Sequence, residues 1–301
     1  MRFYTNIQQY NNVILERYIE DGIHKQREVP YQPTLYVPTV KQSPFKTIKG
    51  ERLEPRGFNS IKEARDFIQA RNKVSNDPVY GMQQFAYAYI QEQYPVREFD
   101  VNQLNILNFD IETRSDEGFP NIREADMEIL SIALRCNGQS YILGCGEYKT
   151  SGDDKYIKCV SEADLLHKFI DLWRELNPDI VTGWNVEMFD IPYTVNRIQR
   201  RLSTEAVNQL SPWGIVKDRL IPTAQTQAQG DNAEPNAKEI IGITVFDYMN
   251  LYKKFTNSQQ ESYALDYIGN AELGEKKLDY SEYGTLNDLY KNDYQKFLDY
   301  N

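Results

Sequence analysis

The chain has 301 residues, a formal net charge of −10, and hydrophobic and aromatic contents of 41% and 13%. These contents predict a folded protein rather than a disordered one, and the length allows one large or two ordinary domains. No stretch approaches the roughly 18 consecutive apolar residues that span a membrane, and residues 1–6 lack the apolar region of a secretory signal. We therefore expect a protein that is neither secreted nor embedded in a membrane.

Acidic residues are concentrated in the second part of the chain. Residues 1–100 contain 14 Lys and Arg and 12 Asp and Glu, whereas residues 101–301 contain 20 and 32. A general nucleic-acid-binding module would normally present a basic face. The chain by itself should therefore bind DNA weakly, with a strong dependence on salt.

Residues 1–100 have the pattern of a small α+β domain without a catalytic constellation. Asp21-Gly22 lies between two strand-like segments, 13–20 and 23–29, and is typical of a two-residue hairpin turn. Ser60 and Glu63 form a capping box at the start of a helix. A second helix is predicted over residues 82–93.

From residue 101 onwards, strand and helix patterns alternate. Strands are predicted over 104–113, 129–135, 140–143 and 179–183, and a helix is predicted from Ser161 to Leu176. Asn137-Gly138 predicts a hairpin turn, and Pro192 suits the first turn of another helix. Residues 225–238, rich in Gln, Asn, Ala and Gly, predict an exposed loop, and residues 286–300 predict one amphipathic helix.

Two carboxylates alternate with apolar residues in the segment Phe109-Asp110-Ile111-Glu112-Thr113. Because side chains alternate along a strand, Asp110 and Glu112 should point to one face, about 7 Å apart. A third carboxylate, Asp190, ends the segment Gly183-Trp184-Asn185-Val186-Glu187-Met188-Phe189-Asp190. An oxygen-only group of this kind suits divalent cations that hydrolyse phosphodiesters. An Asp-x-Glu pair alone is more commonly part of a solvated strand face.

Together, these two segments closely resemble the first two exonuclease motifs of family B DNA polymerases, nearest to those of T4-like bacteriophages. The resemblance covers nearly the whole chain, with residues 225–240 as the weakest part. It implies an α+β N-terminal domain over 1–100 and an α/β exonuclease domain of ribonuclease-H-like fold over 101–301. Residues 225–240 would then occupy the exonuclease β-hairpin, unless they are a tolerated insertion. The other similar segments are Glu16-Arg17-Tyr18-Ile19, Arg27-Glu28-Val29, Asp247-Tyr248-Met249, Leu251-Tyr252-Lys253-Lys254-Phe255 and Ser262-Tyr263-Ala264-Leu265-Asp266-Tyr267-Ile268.

The resemblance also implies a metal site with two Mg²⁺ or Mn²⁺ ions. Asp110 would bridge the ions, Glu112 would hold the ion that activates water, and Asp190 would steady the second ion, largely through water. Tyr300 is the closest fit to the catalytic tyrosine of the family. The final aspartate of the family pattern would fall after Asn301, so the site is expected to be incomplete in this chain.

Two residues are candidate DNA contacts. Asn185 would position backbone or substrate rather than metal, because a neutral amide adds little to cation binding. Phe119 would either stack on a base at the frayed primer end, a contact worth about 1–3 kcal/mol, or pack into the core.

The function implied by the resemblance is proofreading by the N-terminal portion of a phage replicative DNA polymerase. Its partners would be a single-stranded DNA 3′ end, primer–template DNA and the remaining polymerase region, in the same or a separate chain. It would act in the cytoplasm of the infected bacterium, with impaired activity when isolated. The alternatives are a non-catalytic docking or nucleic-acid-binding half of a split polymerase and a free-standing nuclease of the same fold.

Overall fold

The computed structural model describes residues 1–74, 78–96, 98–115, 118, 120–230, 233–257 and 259–301, without the side chains of residues 74, 224 and 225. Phe119, a predicted DNA contact, lies outside the described residues. The chain divides into two compact units, Met1–Gln103 and Leu104–Asn301, which we call unit 1 and unit 2. Within the described ranges, no helix is both long enough and apolar enough to cross a membrane.

Unit 1 combines small antiparallel sheets with α-helices. Its elements are β1 (Arg2–Tyr10), β2 (Val13–Glu20), β3 (Ile23–Pro30), β4 (Thr34–Pro38), β5 (Phe45–Lys46), β6 (Arg52–Gly57), α1 (Ile61–Val74) and α2 (Phe85–Gln93), followed by a 3₁₀ turn over Val101–Gln103. One sheet has the strand order β1-β2-β3 and the other has the order β4-β6-β5.

The local predictions for unit 1 are largely confirmed. Asp21 and Gly22 both have positive φ and join β2 to β3 in an antiparallel hairpin. Ser60 Oγ accepts the Glu63 N–H at 3.2 Å, so it caps α1 as predicted. The Glu63 carboxylate accepts the N–H of Asn59 at 2.9 Å, one residue earlier than in a standard capping box. Helix α2 begins at Phe85, three residues later than predicted.

Unit 2 is built on one mixed sheet. Its strands are β7 (Ile106–Thr113), β8 (Ile129–Cys136), β9 (Gln139–Gly144), β10 (Lys155–Lys158), β11 (Ile180–Gly183), β12 (Val216–Arg219), β13 (Ala237–Ile240) and β14 (Thr244–Asp247). Its helices are α3 (Glu162–Leu176), α4 (Asp190–Arg201), α5 (Thr204–Asn208), α6 (Ala224–Gln229), α7 (Tyr248–Phe255), α8 (Leu265–Leu273), α9 (Leu286–Asn292) and α10 (Tyr294–Tyr300), with a 3₁₀ turn over Ser281–Tyr283.

The order of the strands in the main sheet of unit 2 is β10-β9-β8-β7-β11-β14. Strand β8 is antiparallel to both β7 and β9, whereas β11 is parallel to β7 and β14, and β10 is parallel to β9. A sheet in which only the second strand in chain order, here β8, is antiparallel to the others is the ribonuclease-H-like arrangement. The predicted fold class, a ribonuclease-H-like exonuclease domain preceded by a smaller α+β unit, is confirmed.

Helices cover both faces of this sheet. On one face, Phe109 of β7 stacks on Phe169 of α3 with ring centroids 5.5 Å apart, and Trp173 packs edge-on against Phe109 and at a tilt against Phe169. On the other face, Phe297 and Leu298 of α10 form a smaller buried cluster with strand residues of β8 and β9. Residues of opposite parity on β7 therefore face different helices, and the carboxylates of Asp110 and Glu112 lie on the α10 side.

Two predictions in unit 2 are wrong. Residues 225–238 are not an uninterrupted exposed loop, because α6 begins with a capping box between Thr223 and Thr226, and β13 pairs with β12 in an antiparallel ribbon. Residues 286–300 are not one helix. Asp293 has a non-helical backbone (φ −144°, ψ 81°), and its carboxylate accepts the Lys296 N–H at 3.0 Å, so α9 ends and α10 starts there.

Candidate active site

Strand β7 places the two carboxylates of the first motif on one face of the sheet. Leu107, Phe109 and Ile111 are buried on the opposite face, so the predicted alternation is present. The pairing of β7 with β8 shifts register between Glu112 and Thr113. Such a bulge increases the local twist of a strand and re-aims its side chains, and here it lies directly beside Glu112.

Asp190 reaches the same strand through a gap in the sheet. The pairing between β7 and β11 ends at Asn108 and Thr182, so Ile111 and its N–H lie beyond the part of β7 that pairs with β11. Asp190, the first residue of α4 and only 3% exposed, accepts this N–H of Ile111 through Oδ1 at 3.1 Å. The carboxylate is thereby attached to β7 between Asp110 and Glu112 in the chain.

Glycine at position 183 allows this close approach. A Cβ added to Gly183 would lie 2.5 Å from the carbonyl oxygen of Phe109 and 3.1 Å from the Cβ of Val186. Both neighbours are strand or turn atoms that cannot move away independently. The glycine therefore lets the segment that leads to Asp190 pass directly against the motif strand.

We expect Gly183→Ala to lower the free energy of unfolding by about 1–3 kcal/mol, the usual cost of overpacking. Urea unfolding followed by tryptophan fluorescence measures unit 2 specifically, because Trp173, Trp184 and Trp213 all lie in it. Gly269→Ala is the control. Gly269 is inside α8, and its added Cβ would meet only the Glu275 carbonyl oxygen at 3.3 Å. Equal losses in the two variants would contradict the role of Gly183.

The three carboxylates affect one another's ionisation. Burial and the charge of Asp110 raise the pKa of Glu112 to about 7. Burial raises the pKa of Asp110, against the opposing effects of the Lys277 ammonium and a hydrogen bond from Asn301. Burial and the charges of Asp110 and Glu112 raise the pKa of Asp190 well above its ordinary value, with the hydrogen bond from Ile111 opposing. A nearby cation would stabilise the ionised form of such buried, mutually repelling carboxylates.

A lysine and a tyrosine complete one side of this group. Lys277 Nζ lies 4.0 Å from Glu112 Oε1 and donates to the Tyr300 hydroxyl at 3.2 Å. It also lies 4.5 Å from the centroid of the Tyr300 ring. Burial disfavours the ammonium, but the charge of Glu112 and the contacts with Tyr300 raise the pKa of Lys277 above its ordinary value. Lys277 therefore remains charged and links the carboxylates to Tyr300.

Asn301, the residue that follows α10, also contacts the carboxylate group. Its Nδ2 donates to Asp110 Oδ2 at 3.1 Å, and its Oδ1 accepts the Ser131 hydroxyl at 2.6 Å. In the part of the chain that the structure describes, no three His, Cys, Asp or Glu side chains are arranged so that they could hold a metal ion. The carboxylates thus influence one another electrostatically, while an amide and an ammonium engage two of them directly.

Asn185 and Asp247 shape the segment between β11 and α4. Asn185 has φ +62°, a left-handed conformation that asparagine tolerates better than most residues. The buried Asp247 accepts the N–H groups of Asn185 at 3.3 Å and Glu187 at 3.1 Å, and it caps α7 by accepting from Met249 at 3.0 Å. Asp247 therefore fixes the backbone that leads from β11 to Asp190.

Asp110, Glu112, Asp190 and Tyr300 were predicted site residues from the sequence, whereas Lys277 and Asn301 were not. Lys277 lies in a polar segment, and Asn301 directly follows the amphipathic pattern of residues 286–300, so no local pattern distinguishes either residue from other polar residues. Asp247 was noted only as part of a similar segment. Its position before an amphipathic run is the N-cap pattern that could have identified its capping role.

The fold and the site define a ribonuclease-H-like domain with a buried carboxylate group on its first strand. Sequence comparison agrees with this class, because the DNA polymerase family B exonuclease domain matches residues 51–268. The chain belongs to this family.

Individual relatives include two phage enzymes. The chain is 30% identical to the DNA-directed DNA polymerase of Enterobacteria phage T4 over 99% of its length and 35% of that protein. It is also 30% identical to the DNA-directed DNA polymerase of Escherichia phage RB69, over 99% of its length and 36% of that protein. A more distant relative is the DNA polymerase delta catalytic subunit of Caenorhabditis elegans, 27% identical over 64% of this chain and 18% of that protein. The chain thus spans about a third of the two phage relatives.

Proposed function

We propose that unit 2 is a 3′–5′ exonuclease that removes terminal nucleotides from a single-stranded DNA 3′ end, as the proofreading part of a replicative DNA polymerase. The observation that carries the proposal is the attachment of Asp190 to the strand bearing Asp110 and Glu112, in a chain of the family B exonuclease type. The remaining polymerase region would act in the same chain or in a separate one.

The donor set fits a hard divalent cation. Asp110, Glu112 and Asp190 offer only carboxylate oxygens, which Mg²⁺ and Mn²⁺ prefer, and burial with mutual repulsion makes a counter-charge favourable. We assign these three residues as the ligands of two such ions. Ions bound there would lower the pKa of water and neutralise charge on the phosphate.

The other residues have positioning roles in this proposal. Lys277 holds the Tyr300 hydroxyl toward the carboxylates and supplies a fixed positive charge near the position of the scissile phosphate. Tyr300, itself packed edge-on against Tyr280 with centroids 5.1 Å apart, is then oriented to contact the attacking water. Asn185 and Phe119 remain proposed DNA contacts.

The isolated 301-residue chain should have low activity. A metal ion that binds Asp110 and Glu112 must first displace the Asn301 amide and move the Lys277 ammonium. Both displacements lower the apparent affinity for the ion, because the metal-free carboxylates of Asp110 and Glu112 already interact with the Asn301 amide and the Lys277 ammonium. High Mn²⁺ concentrations should restore part of the activity.

A second candidate function is that of a non-catalytic docking or nucleic-acid-binding half of a polymerase. It is favoured by one observation, the lack of a three-ligand metal arrangement among the described residues. Under this alternative, divalent ions should neither stabilise unit 2 nor support hydrolysis.

The test is the pattern of cleavage of a 5′-labelled single-stranded oligonucleotide in Mn²⁺. The proposed function predicts progressive shortening from the 3′ end, abolished by chelation and by Asp110→Asn. Asp171→Asn, which removes an exposed carboxylate from α3, is the matched control and should retain activity. Cleavage that is internal, or that is equal in wild type and Asp110→Asn, would refute the proposal. No cleavage at any Mn²⁺ concentration would favour the second candidate.

The raised pKa of Glu112 predicts opposite pH dependences without and with metal. The folded state holds a proton on Glu112 up to about pH 7, whereas the unfolded state releases it near the ordinary pKa of 4.5. Protonation therefore stabilises the metal-free protein as the pH falls, and this contribution is lost as the pH rises through 7. Divalent ions bind the ionised carboxylates, so the rise in melting temperature with Mg²⁺ should be larger near pH 8 than near pH 5.5. The same rise at both pH values would contradict this prediction.

A further inference from the structure

A basic surface lies on the small sheet of unit 1, far in sequence from the carboxylate group. We call it the basic ribbon and define it as Lys46 of β5, Arg52 at the start of β6, and Lys49 in the turn that joins them. All three side chains are exposed. Lys46 and Arg52, with Gln42, Ser43 and Pro44, line an open cavity of about 500 Å³.

The ribbon places like charges directly opposite each other. In the antiparallel pairing of β5 with β6, Lys46 is the cross-strand partner of Arg52. Two cations in this position repel each other and destabilise the strand pair. Among the residues that the structure describes, neither side chain has an acidic partner. The nearby acids have other contacts, since Glu54 binds Lys41 at 3.3 Å and Glu51 accepts the Tyr80 hydroxyl at 3.4 Å.

Backbone and side-chain hydrogen bonds hold the ribbon in shape. Thr47 and Glu51 are joined by a backbone bond of 2.8 Å and by a bond of 3.1 Å from the Glu51 N–H to the Thr47 hydroxyl. Gly50 closes the turn with φ +88°. On the other side, the Ser43 hydroxyl donates to the Leu53 carbonyl. The repulsion is therefore built into a defined hairpin, which favours a bound anion that bridges the two cations.

The ribbon also presents apolar groups. Phe45, next to Lys46, packs against Tyr36 with ring centroids 5.0 Å apart but remains 42% exposed, and Ile48 is fully exposed. Adjacent cations with an exposed aromatic ring suit single-stranded nucleic acid, in which phosphates bind the cations and a base stacks on the ring. An acidic polypeptide would use the cations but would gain less from the ring.

We propose that the basic ribbon binds the phosphodiester backbone of single-stranded DNA, with a base stacked on Phe45. The identity of the partner rests on the proposed function, but the binding requires neither metal nor hydrolysis. In a chain of net charge −10, this ribbon supplies a local positive surface with which an otherwise acidic protein can contact its substrate strand.

The experiment is a salt titration of binding to a fluorescent oligothymidylate of about 20 nucleotides, enough to span such a site. It uses the full 301-residue chain in chelator, so that no hydrolysis occurs. The test variant is Lys46→Gln/Arg52→Gln. The control is Lys62→Gln/Lys73→Gln, which removes the same charge from exposed positions of α1 in the same unit. Melting temperatures verify that both variants fold.

Loss of two phosphate contacts should make the slope of log association constant against log salt concentration shallower by about 1.4. Over a fourfold rise in salt, the affinity of the test variant should therefore fall by a factor roughly sevenfold smaller than that of the wild type. Only the test variant should show this change. An unchanged slope, an equal change in the control, no binding by the wild type at low salt, or equal competition by polyglutamate would each overturn the inference. The hydrolysis assay tests Asp110, and this binding assay tests Lys46 and Arg52 in chelator. Failure of the proposed function and failure of this inference are therefore separate outcomes.

Discussion

Replacing Arg197 by methionine is expected to lower the free energy of unfolding by about 3–5 kcal/mol, the usual cost of leaving one partner of a buried ion pair alone. Arg197 is 4% exposed and binds Glu162 through two bonds, Nε to Oε1 at 2.6 Å and Nη2 to Oε2 at 2.7 Å. Its Nη1 donates to the carbonyls of Ala125 and Asp126 at 2.9 and 2.8 Å. The variant would remove both guanidinium bonds from a buried carboxylate and leave two carbonyls without this donor.

This ion pair joins three parts of unit 2. Arg197 belongs to α4, which starts at Asp190, and Glu162 is the first residue of α3. Glu162 Oε1 also accepts the N–H of Ile129, where β8 begins, at 2.9 Å. The pair thus fixes the helix that carries Asp190 against the sheet that carries Asp110.

Urea unfolding followed by tryptophan fluorescence measures the loss. Arg201→Met is the matched control, because Arg201 Nε lies 3.3 Å from Glu162 Oε2 but its side chain is 50% exposed. Its replacement should cost no more than about 1 kcal/mol. Similar losses for Arg197→Met and Arg201→Met would show that the buried geometry has no special importance.

Replacing Asp190 by asparagine should reduce the rate of metal-dependent hydrolysis by at least roughly 10–100-fold. This is the usual effect of losing a residue that only supports a metal ligand, and loss of a ligand itself should cost no less. The free energy of unfolding should stay the same or rise. Asparagine keeps the acceptor for the Ile111 N–H, and it removes the repulsion with Asp110 and Glu112 that raises the pKa of Asp190. Improved stability with lost activity is typical of a functional residue.

Asp247→Asn provides the contrast, because it changes another buried aspartate in the same way. Its Oδ1 accepts from Asn185, Met249 and Asn250, and its Oδ2 accepts from Glu187. An amide leaves one of these donors unpaired, at a cost of about 1–3 kcal/mol in stability. If Asp190→Asn destabilises the protein as much as Asp247→Asn does, Asp190 has a structural rather than a catalytic role.

Local sequence patterns predicted local structure well. Asp21-Gly22 and Asn137-Gly138 identified the β2–β3 and β8–β9 hairpins, because a two-residue turn requires positive φ at positions that few other residues tolerate. Ser161 identified the start of α3, since its hydroxyl accepts the Asp164 N–H. The break between α9 and α10 was missed because Asp293 caps a helix inside an otherwise continuous apolar pattern.

Long-range structure was less accessible from the sequence. The alternation around Asp110 and Glu112 placed both on one face, but their contacts with Lys277 and Asn301 join segments more than 150 residues apart. No local pattern identified strand β13, because residues 237–240 become a strand only by pairing with β12; only the resemblance implied a β-hairpin in this region. Such contacts depend on the folded topology and not on any local preference.

The central claim is that Asp110, Glu112 and Asp190 hold divalent ions. The most direct measurement is calorimetric titration of Mn²⁺ into metal-stripped protein near pH 8, in wild type, Asp110→Asn and Asp171→Asn. We predict saturable binding by the wild type and by Asp171→Asn, with most of the heat lost in Asp110→Asn. Absence of binding by the wild type, or equal binding by Asp110→Asn, would contradict the claim.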